Sequence, residues 1–368
     1  MKTMTELRNI LGNFNLEGEF FFYEPFGCGH INNTYAVYFK QETIPPRRYI
    51  LQRINKFAFT EPEQLMENIV NVTSFLKEKI IASGGDIERE TLNIMFTKDD
   101  KSFFIDNDDD YWRVYLFVEN ATSHQSATKP ELFETSARAF GKFQKLLKDF
   151  PASTLFETIK EFHNTAARYE RLEEAIAEDA VGRKSEVEPE IEFARERKEL
   201  ASSIINLLES EEIPYRVTHN DTKLNNVMLD NTTEKELCVI DLDTVMPGSA
   251  VYDFGDSIRF GASTAPEDEK DLSKVTIDLN LFEMFTKGFL SEAKDILKDK
   301  EIDNLALGSI VITFECGMRF LTDYLSGDKY FRIHYPEQNL DRCRTQFKLV
   351  KDMEDNLDKM NEIVNKYR

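Results

Sequence analysis

Two short apolar runs, 216–218 and 237–240, bracket a segment crowded with carboxylates and amides: VTHNDTKLNNVMLD at 217–230 and CVIDLDTVMPGSAVYDFG at 238–255. An Asp near an Asn is ordinarily a turn or a helix cap, because both side chains bond local backbone donors. Here the polar groups leave the ends of runs that read as buried strands. Asp221, Asn226, Asp241 and Asp243 therefore project from the ends of apolar segments, where a site is the better reading than a solvated face. Phosphoryl transfer from a nucleotide needs that set. One carboxylate orients the attacking hydroxyl and accepts its proton, while an Asn and a second carboxylate hold Mg2+ on the phosphates.

Composition narrows the partners. A length of 368 residues suffices for two domains or one two-lobed unit with its own cores, and 29 Phe supply the filling. The net charge of −21 argues against nucleic acid or an anionic membrane, both negative themselves. A chain of this charge has to collect cations locally to hold ATP. The first twenty residues lack the apolar core and cleavage site of a signal peptide, and no window approaches 18 uninterrupted apolar residues. Cys28, Cys238, Cys316 and Cys343 show no C-x-x-C spacing, and five dispersed histidines form no metal cluster. A reducing cytoplasm, a small-molecule substrate and a monomer or weak homo-oligomer are expected.

The first 120 residues read as sheet-rich, with strand-like runs at 20–25, 33–39, 49–54, 93–96, 103–105 and 112–117. One helix interrupts them at 61–83, with Leu65, Ile69, Val72, Leu76 and Ile80 at helical spacing. Residues 119–122 read as a connection, which puts the boundary between domains 1–118 and 119–368. Beyond it Phe133, Ala137, Phe140, Phe143 and Leu147 form a core-facing helical stripe. The charged stretch 183–200 reads as a solvated helix face with intrahelical ion pairs. Further helices are expected at 279–290, 304–325 and 341–366.

The pattern H-x-D-x-x-x-x-N (His219, Asp221, Asn226) is the catalytic loop of kinases in its small-molecule form. With FGCGHINNTY at 26–35, YILQRIN at 49–55, IDLDTVMPGS at 240–249, DFGDSIRFGAST at 253–264 and ECGMRFLTDYLSGDKYF at 315–331, the chain resembles the aminoglycoside phosphotransferase-like family. Within it, the chain is similar to the bacterial N-acetylhexosamine 1-kinases over nearly its whole length. The resemblance implies an α+β, bilobal protein-kinase-like fold, with a small sheet-rich N-lobe carrying one main helix and a larger, mostly helical C-lobe. It also implies ATP and Mg2+ as cofactors and an N-acetylhexosamine as acceptor.

Asp221 is the expected base, since an ionised carboxylate within hydrogen-bond reach prepares a sugar hydroxyl at neutral pH. Asn226 and Asp241 offer hard oxygen donors for Mg2+; Asp243 either takes a second metal or supports the first. His219 either packs in the loop or acts on substrate. Gly27 and Gly29 would let backbone amides approach a phosphate, with Asn32, Gln52 and Glu119 completing the nucleotide contacts. The third strand carries Gln52 and Arg53 where kinases place a phosphate-contacting Lys, and alternation points these two to opposite faces. A pair with Glu67 is correspondingly in question. By resemblance His30, Phe260, Arg319 and Tyr330 face the sugar. The plainer alternatives are a core role for Phe260 and an i,i+4 pair of Arg319 with Asp323. Homoserine, choline, another amino alcohol or an aminoglycoside is the alternative acceptor, although a choline cage calls for aromatic rings and the chain has one Trp. Only eleven residues separate Asp241 from Asp253, leaving little room for the long activation loop of a protein kinase. A catalytically silent binding protein is the remaining reading.

Overall fold

The computed structural model describes residues 2–27, 31–41, 45–125 and 129–368. In chain order the elements are α1 (Met4–Leu11), β1 (Glu19–Pro25), β2 (Asn33–Lys40), β3 (Arg47–Arg53), α2 (Pro62–Ala82), β4 (Ile94–Met95), β5 (Phe104–Ile105), β6 (Tyr111–Leu116) and β7 (Ala121–Thr122). Then follow α3 (Pro130–Leu146), α4 (Thr165–Glu178), α5 (Glu188–Arg195), α6 (Lys198–Glu209), β8 (Arg216–Thr218), β9 (Val227–Asp230), β10 (Glu236–Val239) and β11 (Met246–Gly248). The chain ends in α7 (Ala250–Gly261), α8 (Leu279–Ala293), α9 (Asp299–Asp303), α10 (Leu305–Leu325), α11 (Gln338–Asp355) and α12 (Leu357–Tyr367). The architecture is mixed α+β, sheet-rich at the N-terminus and helical beyond.

Two compact units result, and they interleave in sequence. Residues 154–159 and 228–245 join 1–122 in the first; 123–153, 160–227 and 246–368 form the second. A single boundary after residue 118 does not describe this. β9 pairs antiparallel with β7, Ala121 opposite Asp230, and the Arg89 guanidinium ties Asp230 (2.7 Å) to the carbonyl of Asn120 (3.3 Å). Those bonds carry 228–245 back to the first unit.

In the first unit the main sheet runs β1-β2-β3-β6-β4, with β5 on β6. Alternation sorts its faces. Tyr35, Val37, Tyr49, Leu51, Trp112 and Val114 line one face, and Leu7, Ile10 and Leu11 of α1 cover it. The sequence reading passed over α1, although Thr3 and Glu6 form a capping box and its apolar residues recur at helical spacing. The opposite face presents Gln52 and Arg113, and Met66 of α2 touches Arg113. The buried Asn68 of α2 has a fully used amide: Nδ2 donates to the carbonyls of Phe156 (2.8 Å) and Val245 (3.1 Å), and Oδ1 accepts from Phe156 N (2.9 Å).

In the second unit α10 is long and apolar enough to cross a membrane by composition, yet most of it is buried against α7, α11 and α4 as a core helix. Gly255 sits where a Cβ would lie 2.7 Å from the Gly308 carbonyl, so α7 and α10 meet at backbone distance. Phe254 packs edge-on against Phe282, Phe285 and Phe289. The stretch 183–200 is not one solvated helix. It breaks between α5 and α6, and its charges reach other elements: Arg183 to Asp328, Arg195 to Glu173, Arg197 to Glu354, and buried Glu190 to Arg344. The expected helix 341–366 is likewise two, α11 and α12, parted at Asn356, whose Nδ2 donates to the Asp352 carbonyl.

Candidate active-site residues

Asp221 and Asn226 belong to the second unit. The loop that carries them begins at β8 and leaves through a left-handed Asn220, φ 63°. Asp253 of α7, 2% exposed, receives three donors: Asn220 N (2.8 Å), His219 N (2.9 Å) and Gln144 Nε2 (3.0 Å). One turn on, Asp256 accepts from Thr222 N (3.0 Å) and from Arg259. Burial raises the Asp253 carboxyl above its ordinary range in spite of those bonds. At Asp256 burial is outweighed by Arg259 and Lys223, and the net direction is downward. The DFGD run is therefore a double carboxylate clamp on the backbone of the loop.

Within the loop Lys223 Nζ lies 2.6 Å from Asp221 Oδ1, and Asn226 Nδ2 donates to Asp221 Oδ2 (3.1 Å) and to the Asp221 carbonyl (2.8 Å). Each oxygen of the carboxylate is thus steered by one neighbour. The amide nitrogen of Asn226 faces Asp221, which leaves its oxygen as the hard donor a divalent cation takes. Burial works against the Lys223 charge, but Asp221 and Asp256 prevail and raise its pKa. The sequence reading overlooked Lys223; its place two residues after Asp221 was the available signal. His219 is fully buried, edge-on to Phe140 and Phe143, with Nδ1 accepting from Asp221 N (3.3 Å). The ring therefore packs and hydrogen-bonds within the loop.

A second cluster in the same unit centres on Arg319. The alternative i,i+4 pair with Asp323 does not form. Asp323 instead collects the backbone amides of Lys329, Tyr330 and Phe331 at 2.8–2.9 Å, plus Asn339 Nδ2. Arg319 lies over Phe162 (5.2 Å), Phe331 (5.6 Å) and Tyr330 (5.9 Å). Arg168 stands nearby, its pKa pushed down to about 10 by burial and by the Arg319 charge. Tyr330 is 61% exposed and Phe260 40%, so Phe260 is no core residue; Lys223 approaches its ring at 5.9 Å. Buried Glu315, one turn before Arg319, meets His163 Nδ1 (2.9 Å), and His163 Nε2 meets the Asn220 carbonyl (3.2 Å). That chain links the Arg319 helix to the residue before Asp221.

Asp241 and Asp243 belong to the first unit. Asp241 is exposed, in left-handed backbone (φ 59°, ψ 57°) at the end of β10. Asp243 is 4% exposed, with Arg113 Nη1 at 2.6 Å from Oδ1, and Arg113 Nη2 (2.9 Å) and Asn32 Nδ2 (2.7 Å) on Oδ2. Burial alone would lower the Arg113 pKa; the Asp243 charge reverses the direction. Of the two roles expected for Asp243, these bonds favour support over metal binding. Three expected nucleotide contacts are also spent internally. The Asn32 amide bridges Asp243 and Asn55 N, and Gln52 bridges Thr34 and Arg113. The Glu119 carboxylate holds Arg48 while its carbonyl accepts from Arg89. Arg53 pairs with Asp110, and Glu67 is exposed on α2. Gly27 has φ 79°, a conformation that suits glycine, and among the described residues nothing lies within 4 Å of where a Cβ would stand. Gly29 and His30 lie outside the described residues.

A family model described as "Phosphotransferase enzyme family" matches residues 23–273, more than half of the chain. Among solved structures the chain is similar to an aminoglycoside phosphotransferase from Alicyclobacillus acidocaldarius (13% identity, TM-score 0.59, 97% of this chain and 96% of that one). A choline kinase from Cryptosporidium parvum Iowa II aligns at 13% identity and TM-score 0.57 over 99% of both chains. The amicoumacin kinase hAmiN, in complex with AMP-PNP, Ca2+ and Ami, aligns at 14% identity and TM-score 0.57 over 100% of this chain and 94% of that one. At these identities the likeness establishes the protein-kinase-like fold.

Proposed function

Because this chain belongs to the phosphotransferase enzyme family, we propose that it transfers the γ-phosphoryl group of ATP to the anomeric C1 hydroxyl of an N-acetylhexosamine, GlcNAc or GalNAc. One observation carries the choice of acceptor. The rings of Phe162, Tyr330 and Phe331 are already met by the Arg319 guanidinium, with Arg168 beside it. A quaternary ammonium or polyamine needs aromatic faces free of competing charge. Two arginines repel such a cation, whereas they leave a neutral sugar's hydroxyl and acetyl oxygens well supplied with donors. Exposed Phe260 and Tyr330 suit the acetyl methyl and the ring face.

Asp221 orients the C1 hydroxyl and takes its proton as the oxygen–phosphorus bond forms and the bond to ADP breaks. Lys223 and Asn226 keep that carboxylate in one orientation, and the clamp from Asp253 and Asp256 keeps the backbone under it. The donor types fit a hard divalent cation: in the second unit the Asn226 oxygen would supply a ligand, and in the first unit the exposed Asp241 carboxylate is a donor of the same kind. Mg2+, when bound, offsets the charge that develops on the phosphates.

The same two arginines favour a second reading, an alcohol bearing a carboxylate, of which homoserine is the test case. ADP release measured across GlcNAc, GalNAc, homoserine and choline separates the readings. Turnover of a hexosamine, with 31P–1H coupling to the anomeric proton of the product, is the expected result. A 6-phosphate product would refute the 1-kinase assignment, and turnover of homoserine or choline alone would refute the sugar.

A further inference from the structure

Arg113, a buried cation of the first unit, stands on β6 beside the third strand. β3 and β6 pair in antiparallel register with Gln52 directly opposite Arg113, so both side chains leave the same face as neighbours. Arg113 is 1% exposed and its guanidinium is spent inside the unit. Nε donates to Gln52 Oε1 at 3.0 Å, Nη2 to Asp243 Oδ2 at 2.9 Å, and Nη1 stands 2.6 Å from Asp243 Oδ1. The Asp243 carboxylate thus accepts one guanidinium hydrogen bond on Oδ2 and has the charge of Nη1 beside Oδ1, a buried ion pair that restricts where the side chain can stand. Asp243 lies two residues after Asp241, whose left-handed backbone is costly for a residue with a side chain and needs its surroundings to hold it. Two residues further, the Val245 carbonyl is pinned by Asn68 of α2.

We propose that Arg113 is the positioning residue of this unit: by pairing with Asp243 it fixes the turn that presents Asp241, and it removes Asp243 from the donor set of the metal. Arg113 then acts on the turn and not on phosphate, and the acidic turn offers the nucleotide-bound cation one carboxylate, not two. The inference rests on the reading of Asp241 as a metal ligand.

The test uses the full chain and four variants, Arg113→Met, Arg113→Lys, Asp243→Asn and the double Arg113→Met/Asp243→Asn. The readouts are the melting temperature of the ligand-free protein and MgADP affinity by calorimetry, so the identity of the acceptor plays no part. Each neutralising single variant strands a buried charge and is expected to melt lower, and the double is expected to recover most of that loss. MgADP binding should nevertheless stay weakened by about ten-fold or more in the double, because no guanidinium holds residue 243, and Arg113→Lys should keep part of the affinity. If Arg113→Met fails to fold, Asp243→Asn and the double still decide. A double variant that binds MgADP as tightly as wild type would make the pair merely structural and overturn the proposal. So would an Asp243→Asn protein with unchanged melting but a displaced Mg2+ requirement, the signature of a metal ligand. Wild-type protein that does not bind MgADP would overturn the nucleotide reading and this proposal with it; binding by wild type confines any failure to the proposal.

Discussion

Asp253→Asn isolates the clamp under the catalytic loop from the loop itself. Oδ2 of Asp253 accepts from His219 N and Gln144 Nε2, and Oδ1 from Asn220 N. The amide keeps the volume but turns one oxygen into a donor. In its better orientation the oxygen stays with His219 and Gln144, and the new NH2 opposes the Asn220 N–H. One hydrogen bond to a charged group, roughly 1.5–3 kcal/mol, is lost, and two others fall from charged to neutral strength at about 1 kcal/mol each. Removing a buried charge that burial itself disfavours returns part of this. The net expectation is about 2–4 kcal/mol, which for a cooperative unit of this size lowers the melting temperature by about 4–16 °C. Displacement of Asn220 moves the adjoining Asp221, and a misplacement on the order of 1 Å costs up to ~10²-fold in kcat. Thermal melting and steady-state kinetics at saturating ATP and sugar, on one preparation, measure both. A variant that melts within about 2 °C of wild type and turns over at the wild-type rate refutes the clamp. Unchanged melting with a shifted Mg2+ midpoint would recast Asp253 as a metal ligand.

Asp221→Asn should retain nucleotide and sugar binding while kcat falls by at least ~10²-fold, the range for a positioned general base; near wild-type turnover would remove Asp221 from that role. Arg319→Ala should raise the sugar KM with little change in melting or in the ATP KM, a loss of roughly 1.5–3 kcal/mol in kcat/KM for the sugar. Asp323→Ala should do the reverse and lower the melting temperature, because it strands the three amides of residues 329–331; equal effects of the two variants would revive the intrahelical pair. Gly255→Ala should destabilise by about 1–3 kcal/mol, since the added methyl meets the Gly308 carbonyl, and an unshifted melting curve would show that α7 and α10 separate easily.

The loop contacts around Asp221 were legible in the chain because their spacing is local. Asp221, Lys223 and Asn226 lie within six residues, and one loop brings them together. The strands of the first unit and the long helix Leu305–Leu325 were legible for the same reason, since periods of 2 and 3.6 are written in short windows. The helix Met4–Leu11 was legible too, through its capping box, and went unread.

Tertiary structure alone decided which charges meet. Four-residue spacing suggested Arg319 with Asp323, yet the carboxylate is worth more to three backbone amides in a tight loop than to a side chain already lying over aromatic rings. The mixed charges of 183–200 suggested intrahelical pairs, but partners such as Glu354 lie on a distant helix. Arg113 and Asp243 stand 130 residues apart, and nothing within either window announces the other. A single sequence carries propensity, period and spacing, all properties of neighbours in the chain. The partner of a buried charge is set by the sheet register that places Gln52 across from Arg113 and by the turn that returns Asp243 to that face, and those are properties of the folded chain.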